Sequence, residues 1–460
     1  MSASPSKAGH KLLDARNSLA RAQKKLSRKS WKFFLGGDGM SVRTGRYLSE
    51  AMLVGVLAGF VVVAFRYMID FADNLACAAK SLVNAAFLIL LPAIGATLGH
   101  LLIKRFDSLE HARGTDSAIL AYHRRHGYVP PAVIPVKSTA SVLTVASGGS
   151  AGYEGPVTLL GAACGSLVAS WFGLSSRARR ILMTAGLSAG IAALFQAPLA
   201  GAIFGFEILY SSSDIEYEPI LPCFIASAVS YTIYACFFGW GVLFAMPDAV
   251  RYDNGLRLLP YFALAIVIAF GARFYISFFR ATERFFTARK KLPLAAKVAI
   301  GGLLTGTIGY FFPAVLGTGY AVISKSLACG QASALWLLAF FFLKALATSF
   351  TVGSGGSGGV FAPAIACGGA LGAATGMALQ SLLPEIGIHP GAFALVGMAG
   401  FLASCNRIPI AAIVMVSEIS GNHQLLLPTM WVCCISFWLN NGWSLYRSQV
   451  HNRESSPLRW

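Results

Sequence analysis

The hydrophobic and polar positions divide this chain into long apolar stretches separated by short polar ones. Seven apolar stretches run with few interruptions and cover residues 51–69, 81–103, 220–243, 258–279, 298–312, 333–350 and 425–439. Their lengths approach or exceed the roughly 20 residues that a helix needs to cross a bilayer. The pattern therefore predicts an all-α polytopic integral membrane protein.

Four further apolar stretches are broken by glycine clusters and by proline. They cover residues 142–172, 181–210, 352–383 and 393–420, and their prolines include Pro156, Pro198, Pro363 and Pro409. Each break frees backbone N–H and C=O groups that lipid cannot satisfy, so such breaks persist where they line a buried polar cavity. We expect these segments to form broken and re-entrant helices around a site.

Two of the broken segments repeat each other. Residues 185–208 align without gaps on residues 396–419, and the alignment matches Gly186 with Gly397, Pro198 with Pro409, Glu207 with Glu418 and Ile208 with Ile419. A glycine-rich turn ending in proline precedes each copy, GGSAGYEGP at 148–156 and GSGGSGGVFAP at 353–363. Chance similarity between Gly/Ala-rich helices is the alternative. Paired broken helices are typical of transporters whose site lies between two inverted-topology repeats.

The composition agrees with a membrane protein and limits the chemistry. Of the 460 residues, 56% are hydrophobic and 12% are charged, about half the charged share of a soluble domain. The nine cysteines include no CxxC and the eight histidines no HxxxH pair, so no metal site and no cofactor are expected. A membrane-embedded enzyme is a remote alternative, because Ser150 and Ser357 have no paired His or Asp in motif range.

The net charge of +18 lies largely in basic clusters outside the apolar stretches. The N-terminal segment, residues 1–48, is rich in Lys and Arg and is predicted to be cytoplasmic, as a basic amphipathic helix on the lipid surface or as a disordered arm. The short tail, residues 447–460, is predicted to be cytoplasmic too. This distribution favours membrane lipid over nucleic acid as the partner of the basic charge.

The glycine-rich turns have the properties of an anion site. Helix N-termini carry about half a positive charge and point unpaired N–H groups outward, and neither turn contains Lys or Arg. No GK[ST] follows GSGGSGG, so no nucleotide is expected. Glu154 is an ionisable residue of one turn at membrane depth. It either competes with the anion, as a gate that protonation opens, or caps its own helix.

Motifs along the chain resemble those of the CLC chloride channel and anion/proton exchanger family, from about residue 51 to 446. GYEGP at 152–156 is similar to the family's GREGP, GGVFAP at 358–363 to its GGIFAP, and SLYRS at 444–448 to its tyrosine-bearing segment. The resemblance implies a CLC-type fold with membrane repeats at 49–248 and 249–446. It also implies a homodimer with one pore per subunit and bound chloride, here as a bacterial inner-membrane member without nucleotide regulation.

The resemblance also implies roles for individual residues. Glu154 matches the gating glutamate, which occupies the external anion site when ionised. Val360 and Phe361 match positions whose backbone N–H groups coordinate the ion, and the Tyr446 hydroxyl is expected to donate to the central anion. The residues of the first turn that we expect to line the same path are Gly152, Tyr153 and Gly155.

Two departures from the family pattern affect the anion path. The family's GSGIP loop, with its coordinating serine, appears here as ARGTDSA at 112–118, and counting back from Lys137 puts Arg113 at the serine position. Thr115, Arg113 or backbone N–H groups must then substitute, which leaves the preference between chloride and nitrate open. Tyr153 replaces the arginine of GREGP, which removes a positive charge near the mouth and is expected to slow anion capture.

The third departure concerns proton coupling. Exchangers of this family usually carry a second, inward-facing glutamate directly after the one that matches Glu207, and here that position is Ile208. Isoleucine cannot bind a proton. We therefore expect an uncoupled, proton-gated anion channel, with a chloride/proton antiporter that bypasses Ile208 as the alternative and a membrane scaffold as a remote one. Because Glu418 repeats Glu207, a structural role at helix ends is expected for both.

Overall fold

The chain folds into α-helices joined by short connections. The computed structural model describes residues 39–82, 87–106, 114–244, 255–327 and 333–457. Over these residues there are 16 α-helices, and the only β-type pairing is two isolated bridges. Seven helical segments among them are long and apolar enough to cross a membrane. This confirms the predicted all-α polytopic membrane class.

The helices fall into two sets of eight in chain order. The first set is α1 (Gly39–Leu82), α2 (Phe87–Lys104), α3 (Thr115–Arg124), α4 (Val133–Ala146), α5 (Glu154–Trp171), α6 (Ser176–Phe195), α7 (Pro198–Glu207) and α8 (Ile220–Phe238). The second set is α9 (Pro260–Ala288), α10 (Leu294–Phe311), α11 (Tyr320–Leu327), α12 (Ala334–Gly353), α13 (Phe361–Leu382), α14 (Pro390–Asn406), α15 (Pro409–Ser420) and α16 (Leu426–Leu439).

Equivalent helices of the two sets begin and end in the same way. Proline is the third residue of both α5 and α13 and the first residue of both α7 and α15. Helices α6 and α14 both end at a residue in the left-handed conformation, Gln196 with φ 54° and Arg407 with φ 61°. Non-glycine residues rarely adopt this conformation. Its recurrence at the same break supports a repeated unit.

Two carboxylates join the halves and fix their relative direction. Glu207, at the end of α7, accepts hydrogen bonds from the backbone N–H groups of Ile410 and Ala411 at the start of α15, at 2.8 and 2.7 Å. Glu418, near the end of α15, accepts equivalent bonds at 3.0 and 2.7 Å from two N–H groups at the start of α7. The two helices therefore pack antiparallel, as inverted repeats require. Both glutamates have the expected helix-end role.

The broken segments form the centre of the molecule and the simple spans form its outside. In the most apolar 18-residue part of each helix, 89% of α6 and 78% of α13 is buried, compared with 33% of α10. Large apolar side chains are mostly exposed on the outer helices, including Phe71, Phe270, Phe311, Leu335 and Trp438. A soluble monomer rarely exposes so much apolar surface. Lipid is the solvent that suits this exterior.

The helix boundaries differ from the predicted stretches mainly in the first repeat. Helix α1 continues to Leu82, well beyond the predicted end at 69, and an exposed ion pair between Arg66 and Asp70 (Nε–Oδ1 3.0 Å) spans that predicted end. Most of the N-terminal segment 1–48, and the predicted boundary between 248 and 249, lie outside the described residues. The predicted domain limits stay a prediction.

Candidate functional site

Three helix N-termini, those of α3, α5 and α13, meet at the centre of the molecule. A Cβ added to Gly155 would lie 2.9 Å from the Gly359 Cα, and one added to Gly114 would lie 3.0 Å from the carbonyl carbon of Gly155. Gly152 and Gly359 pair through two backbone hydrogen bonds of 2.8 Å with their chains antiparallel. Such close approach requires glycine. Several N-termini meeting in this way provide the unpaired N–H groups and positive potential that suit an anion.

Glu154 closes this arrangement from one side. It is the first residue of α5 and is 1% exposed. Its Oε2 accepts a hydrogen bond from the backbone N–H of Ala362, at the start of α13, at 3.2 Å, and its Oε1 accepts one from the Tyr320 hydroxyl of α11. The carboxylate therefore reaches beyond its own helix. It occupies one of the N–H groups at the start of α13.

Tyr446 and Thr115 lie together on the other side of the turns. Both residues are buried, and they line the same cavity. Asp116, the next residue of α3, accepts bonds from the Ser448 backbone N–H at 2.9 Å and from its hydroxyl at 3.0 Å. The segment that carries Tyr446 is thereby attached to the loop that departs from the family pattern. Arg113, the other candidate in this loop, lies outside the described residues.

Two separate cavities reach the turns, and they have no lining residue in common. The first, here the Glu154 cavity, has a volume of about 470 Å³ and is lined by Glu154 and Tyr320 among others. The second, here the Tyr446 cavity, has a volume of about 110 Å³ and is lined by Thr115, Gly155 and Tyr446 among others. The glycine-rich turns are the barrier between them.

Val360 and Phe361 occupy the corresponding turn of the second half. The Val360 carbonyl accepts a hydrogen bond from the buried Tyr275 hydroxyl at 3.3 Å, and Val360 lines the Tyr446 cavity. Phe361 is 1% exposed, and its ring packs on Phe195 and Phe204 with centroid distances of 5.4 and 5.7 Å. The aromatic contacts fix this turn and rule out a lipid-facing Phe361.

Two residues beside Glu154 were not predicted from the sequence. Lys344, fully buried within α12, donates from Nζ to the carbonyls of Val315 at 2.8 Å and Gly317 at 2.6 Å, and its charge attracts the Glu154 carboxylate. A lone lysine in an otherwise apolar span was the available signal, since ionisable residues at membrane depth are costly and usually functional. Tyr320 lies in no sequence motif that would indicate a functional role.

Arginines surround a further cavity next to Tyr446. This cavity, of about 440 Å³, is lined by Arg280, Arg284 and Arg447 as well as Tyr446. Glu283 neutralises part of this charge through an ion pair with Arg447 at 2.8 Å. A mouth with excess positive charge raises the local concentration of anions. The Tyr446 side of the site is therefore suited to anion entry.

Ile208 and Glu207 lie away from solvent. Ile208 is fully buried, and its carbonyl accepts a hydrogen bond from Gln449 Nε2 at 2.8 Å. The Glu207 carboxylate is engaged with the start of α15. An apolar side chain cannot accept a proton, and the Glu207 carboxylate is already engaged with two N–H groups.

A membrane protein with helix N-termini gathered around a central site, and a buried carboxylate lining a cavity beside it, has the architecture of an anion transport protein. A family described as voltage gated chloride channel matches residues 94–441. The chain belongs to this family, also called CLC, which confirms the resemblance of its motifs. Members of the family are transporters and channels, so the protein is not an enzyme.

Curated relatives and solved structures agree with this assignment. The putative chloride channel protein ClcB-like of Ralstonia nicotianae is 31% identical over 404 residues, which cover 85% of this chain and 92% of that protein. The H(+)/Cl(-) exchange transporter ClcA of Yersinia pseudotuberculosis is 32% identical over 404 residues, which cover 84% and 82%. The chain is therefore a multi-pass membrane protein of the CLC family of anion transport proteins.

Two solved structures have the same fold. A CLC-type fluoride/proton antiporter superposes with a TM-score of 0.78 at 22% identity, covering 90% of this chain and 100% of that one. A slow cyanobacterial Cl−/H+ antiporter superposes with a TM-score of 0.75 at 22% identity, covering 86% and 94%. Identities this low establish the fold alone.

Proposed function

We propose that this protein exchanges chloride for protons and that Glu154 takes part in both fluxes. The observation that carries the proposal is the Glu154 carboxylate, which binds the start of α13 and lines a cavity. An ionised carboxylate competes with chloride for these N–H groups, and a protonated one releases them. Carboxylate and chloride therefore alternate at one site. The carboxylate takes up a proton on one side of the membrane and releases it on the other. Because the carboxylate displaces chloride as it returns to the site, the proton and chloride move in opposite directions.

The proton route on the Tyr446 side bypasses Ile208. Protons reach Glu154 directly from the Glu154 cavity, which it lines. From the opposite side, Ile208 cannot carry a proton and Glu207 is engaged with α15. The Tyr446 cavity extends to Gly155, the residue next to Glu154. We infer that water in this cavity supplies the second proton step.

The absence of an acid at position 208 predicts an uncoupled channel. We propose exchange instead, because the curated relatives favour an exchanger. The Yersinia relative is named an H(+)/Cl(-) exchange transporter at 32% identity over most of both chains. The Ralstonia relative is named a putative chloride channel protein. A channel opened by protonation of Glu154 is therefore the second candidate, and Ile208 is the observation that favours it.

The same proposal includes the roles of the surrounding residues. The turn residues Gly152, Tyr153 and Gly155 line the chloride path with Val360 and Phe361, and Tyr446 and Thr115 provide hydroxyl groups at its centre. The protein acts as a homodimer with one pore per subunit, in the bacterial inner membrane and in contact with lipid. Both termini face the cytoplasm. The bacterial relatives and the arginines around the Tyr446 mouth support this orientation under the positive-inside rule.

The test is proton movement driven by a chloride gradient. Liposomes containing the protein are loaded with high chloride and diluted into low chloride in a weakly buffered medium of equal pH. Equal potassium on both sides, with valinomycin, holds the membrane potential at zero. Exchange predicts that chloride leaves, protons enter and the medium becomes alkaline, with the effect absent in Glu154→Ala. Chloride release without a pH change contradicts exchange and establishes the channel.

A further inference from the structure

Tyr320 contacts the Glu154 carboxylate from a third element. It is the first residue of α11 and follows Gly319, whose φ is 91°. Its ring packs edge-on against Phe244 with centroids 5.6 Å apart, and it lines the Glu154 cavity. Its hydroxyl donates to Glu154 Oε1, while the α13 N-terminus holds the other oxygen. The carboxylate is thus held from two sides.

We propose that Tyr320 is the positioning residue that keeps ionised Glu154 in the chloride-blocking position. One hydrogen bond, from α13, leaves a carboxylate free to swing about its side-chain torsions, whereas a second donor from another element fixes both oxygens. The phenol supplies this second bond without a fixed positive charge that would also bind chloride. This inference rests on the proposed function and adds to it the residue that sets how strongly Glu154 competes with chloride.

Other charged groups around Glu154 are independent of the Tyr320 hydroxyl. Across the Glu154 cavity, α1 contributes Asp73 and Arg66, and Arg66 is paired with Asp70. Lys344 of α12 attracts the carboxylate while bonding to two backbone carbonyls. Tyr153 is the neighbour on α5's own turn. The titratable and charged groups of the Tyr446 cavity are His100, Lys104, Asp116, Lys137, Glu283, Tyr446 and Arg447. All of them remain when the hydroxyl alone is removed.

The variant Tyr320→Phe removes the hydroxyl and keeps the ring that packs on Phe244. A donor that stabilises the ionised carboxylate makes protonation harder, so its loss allows Glu154 to protonate at higher pH. The pH of half-maximal chloride flux should move by about one unit toward alkaline, a tenfold change in proton activity. At a fixed alkaline pH, half-maximal flux should also need less chloride, because the carboxylate competes less well.

The experiment measures chloride flux against pH in liposomes for the wild type, Tyr320→Phe and the control Ser324→Ala. Ser324 lies on the same helix, and its exposed hydroxyl bonds to the Tyr320 carbonyl at 3.3 Å instead of to Glu154. A shift in Tyr320→Phe that is absent from Ser324→Ala, and lost when Glu154→Gln is added, supports the proposal. An unshifted Tyr320→Phe profile, or an equal shift in the control, overturns it.

The proposed gate can fail separately. A wild-type pH profile that persists in Glu154→Gln alone would show that another group titrates, which overturns the role of Glu154 and with it that of Tyr320. A Tyr320→Phe profile identical to wild type, in a protein whose pH dependence Glu154→Gln abolishes, leaves the gate intact and rejects Tyr320 only.

Discussion

The two glycine-rich turns have nearly the same backbone and different chemistry. The residues before α5 and α13, Tyr153 and Val360, have φ and ψ of −88° and −12° in the first turn and −96° and −1° in the second. The next residue is Glu154 in one turn and Phe361 in the other, and each is 1% exposed. The carboxylate bonds across to the opposite turn, whereas the phenyl ring packs in the core. The repeat supplies two helix starts of the same geometry, and the difference at one position supplies the carboxylate that we propose as the gate.

Glu207 and Glu418 give the opposite case. They occupy equivalent positions in the two halves, and each bonds to two N–H groups at the start of the other half's short helix. A proline begins each of these helices, so the carboxylate reaches the next two donors, which have no partner within the helix. The duplicated carboxylates, Glu207 and Glu418, therefore hold the halves together. Glu154 has no counterpart in the other half, and we propose a transport role for it.

The largest effect is expected from removing the unduplicated carboxylate. Glu154→Gln should abolish both the pH dependence of chloride flux and the coupled proton flux, because an amide neither ionises nor carries a proton across. Parallel chloride and proton fluxes in liposomes measure this. Glu385→Gln, at an exposed surface position, is the control and should behave as the wild type. A wild-type pH profile in Glu154→Gln would refute the gate.

The duplicated carboxylates should affect stability instead of coupling. Glu207→Ala should lower the free energy of unfolding by about 2–4 kcal/mol, because two charge-assisted hydrogen bonds are lost and the buried Ala411 N–H is left without an acceptor. Glu418→Ala should cost less, since Glu418 is partly exposed while Glu207 is 4% exposed. Thermal unfolding in detergent measures both. The account is wrong if either variant unfolds like the wild type while its proton coupling is lost.

A smaller effect is expected at the hydroxyl groups on the Tyr446 side. Tyr446→Phe should change the preference between chloride and nitrate more than Thr115→Ala does. We expect Tyr446 to keep the role that its family motif implies, whereas Thr115 stands in a loop that lacks the family's serine. Fluxes of the two anions under equal gradients measure the preference. The reverse order would show that Thr115 has taken over central coordination.

The smallest effect is expected at the position where family exchangers carry their inner glutamate. Ile208→Glu should leave the ratio of protons to chloride unchanged, because the proposed route uses the Tyr446 cavity and bypasses this residue. Ile208→Gln is the matched control for placing a polar side chain at a fully buried site. A ratio that rises in Ile208→Glu and stays constant in Ile208→Gln would show that proton supply limits the wild type, which contradicts a sufficient route through the Tyr446 cavity.

Local sequence patterns predicted the helices, the positions of their breaks and a functional role for Glu154. The break at Pro198 and Pro409 follows from residues that cannot continue a helix, and the importance of Glu154 follows from a carboxylate in a glycine-rich turn at membrane depth. The extension of α1 to Leu82 was not predictable by hydropathy, because helix formation does not stop where the apolar pattern does.

Contacts between distant segments could not be predicted in this way. Tyr320 is 166 residues from Glu154 along the chain, and no periodicity or motif connects the two. Lys344 could be flagged as ionisable in an apolar span, but its two carbonyl partners follow only from the fold. The reciprocal bonds of Glu207 and Glu418 lie between these cases, because the repeat predicted a shared role and only the packing supplied the partners.

The central claim is that chloride and the Glu154 carboxylate use the same N–H group at the start of α13. Crystals of the Glu154→Gln variant grown with bromide test this directly, because anomalous diffraction locates the halide. The account predicts a bromide peak within hydrogen-bonding distance of the Ala362 N–H, where the wild-type carboxylate lies, and no such peak in wild-type crystals at alkaline pH. Bromide in both proteins at this position, or in neither while Glu154→Gln still conducts chloride, would contradict it.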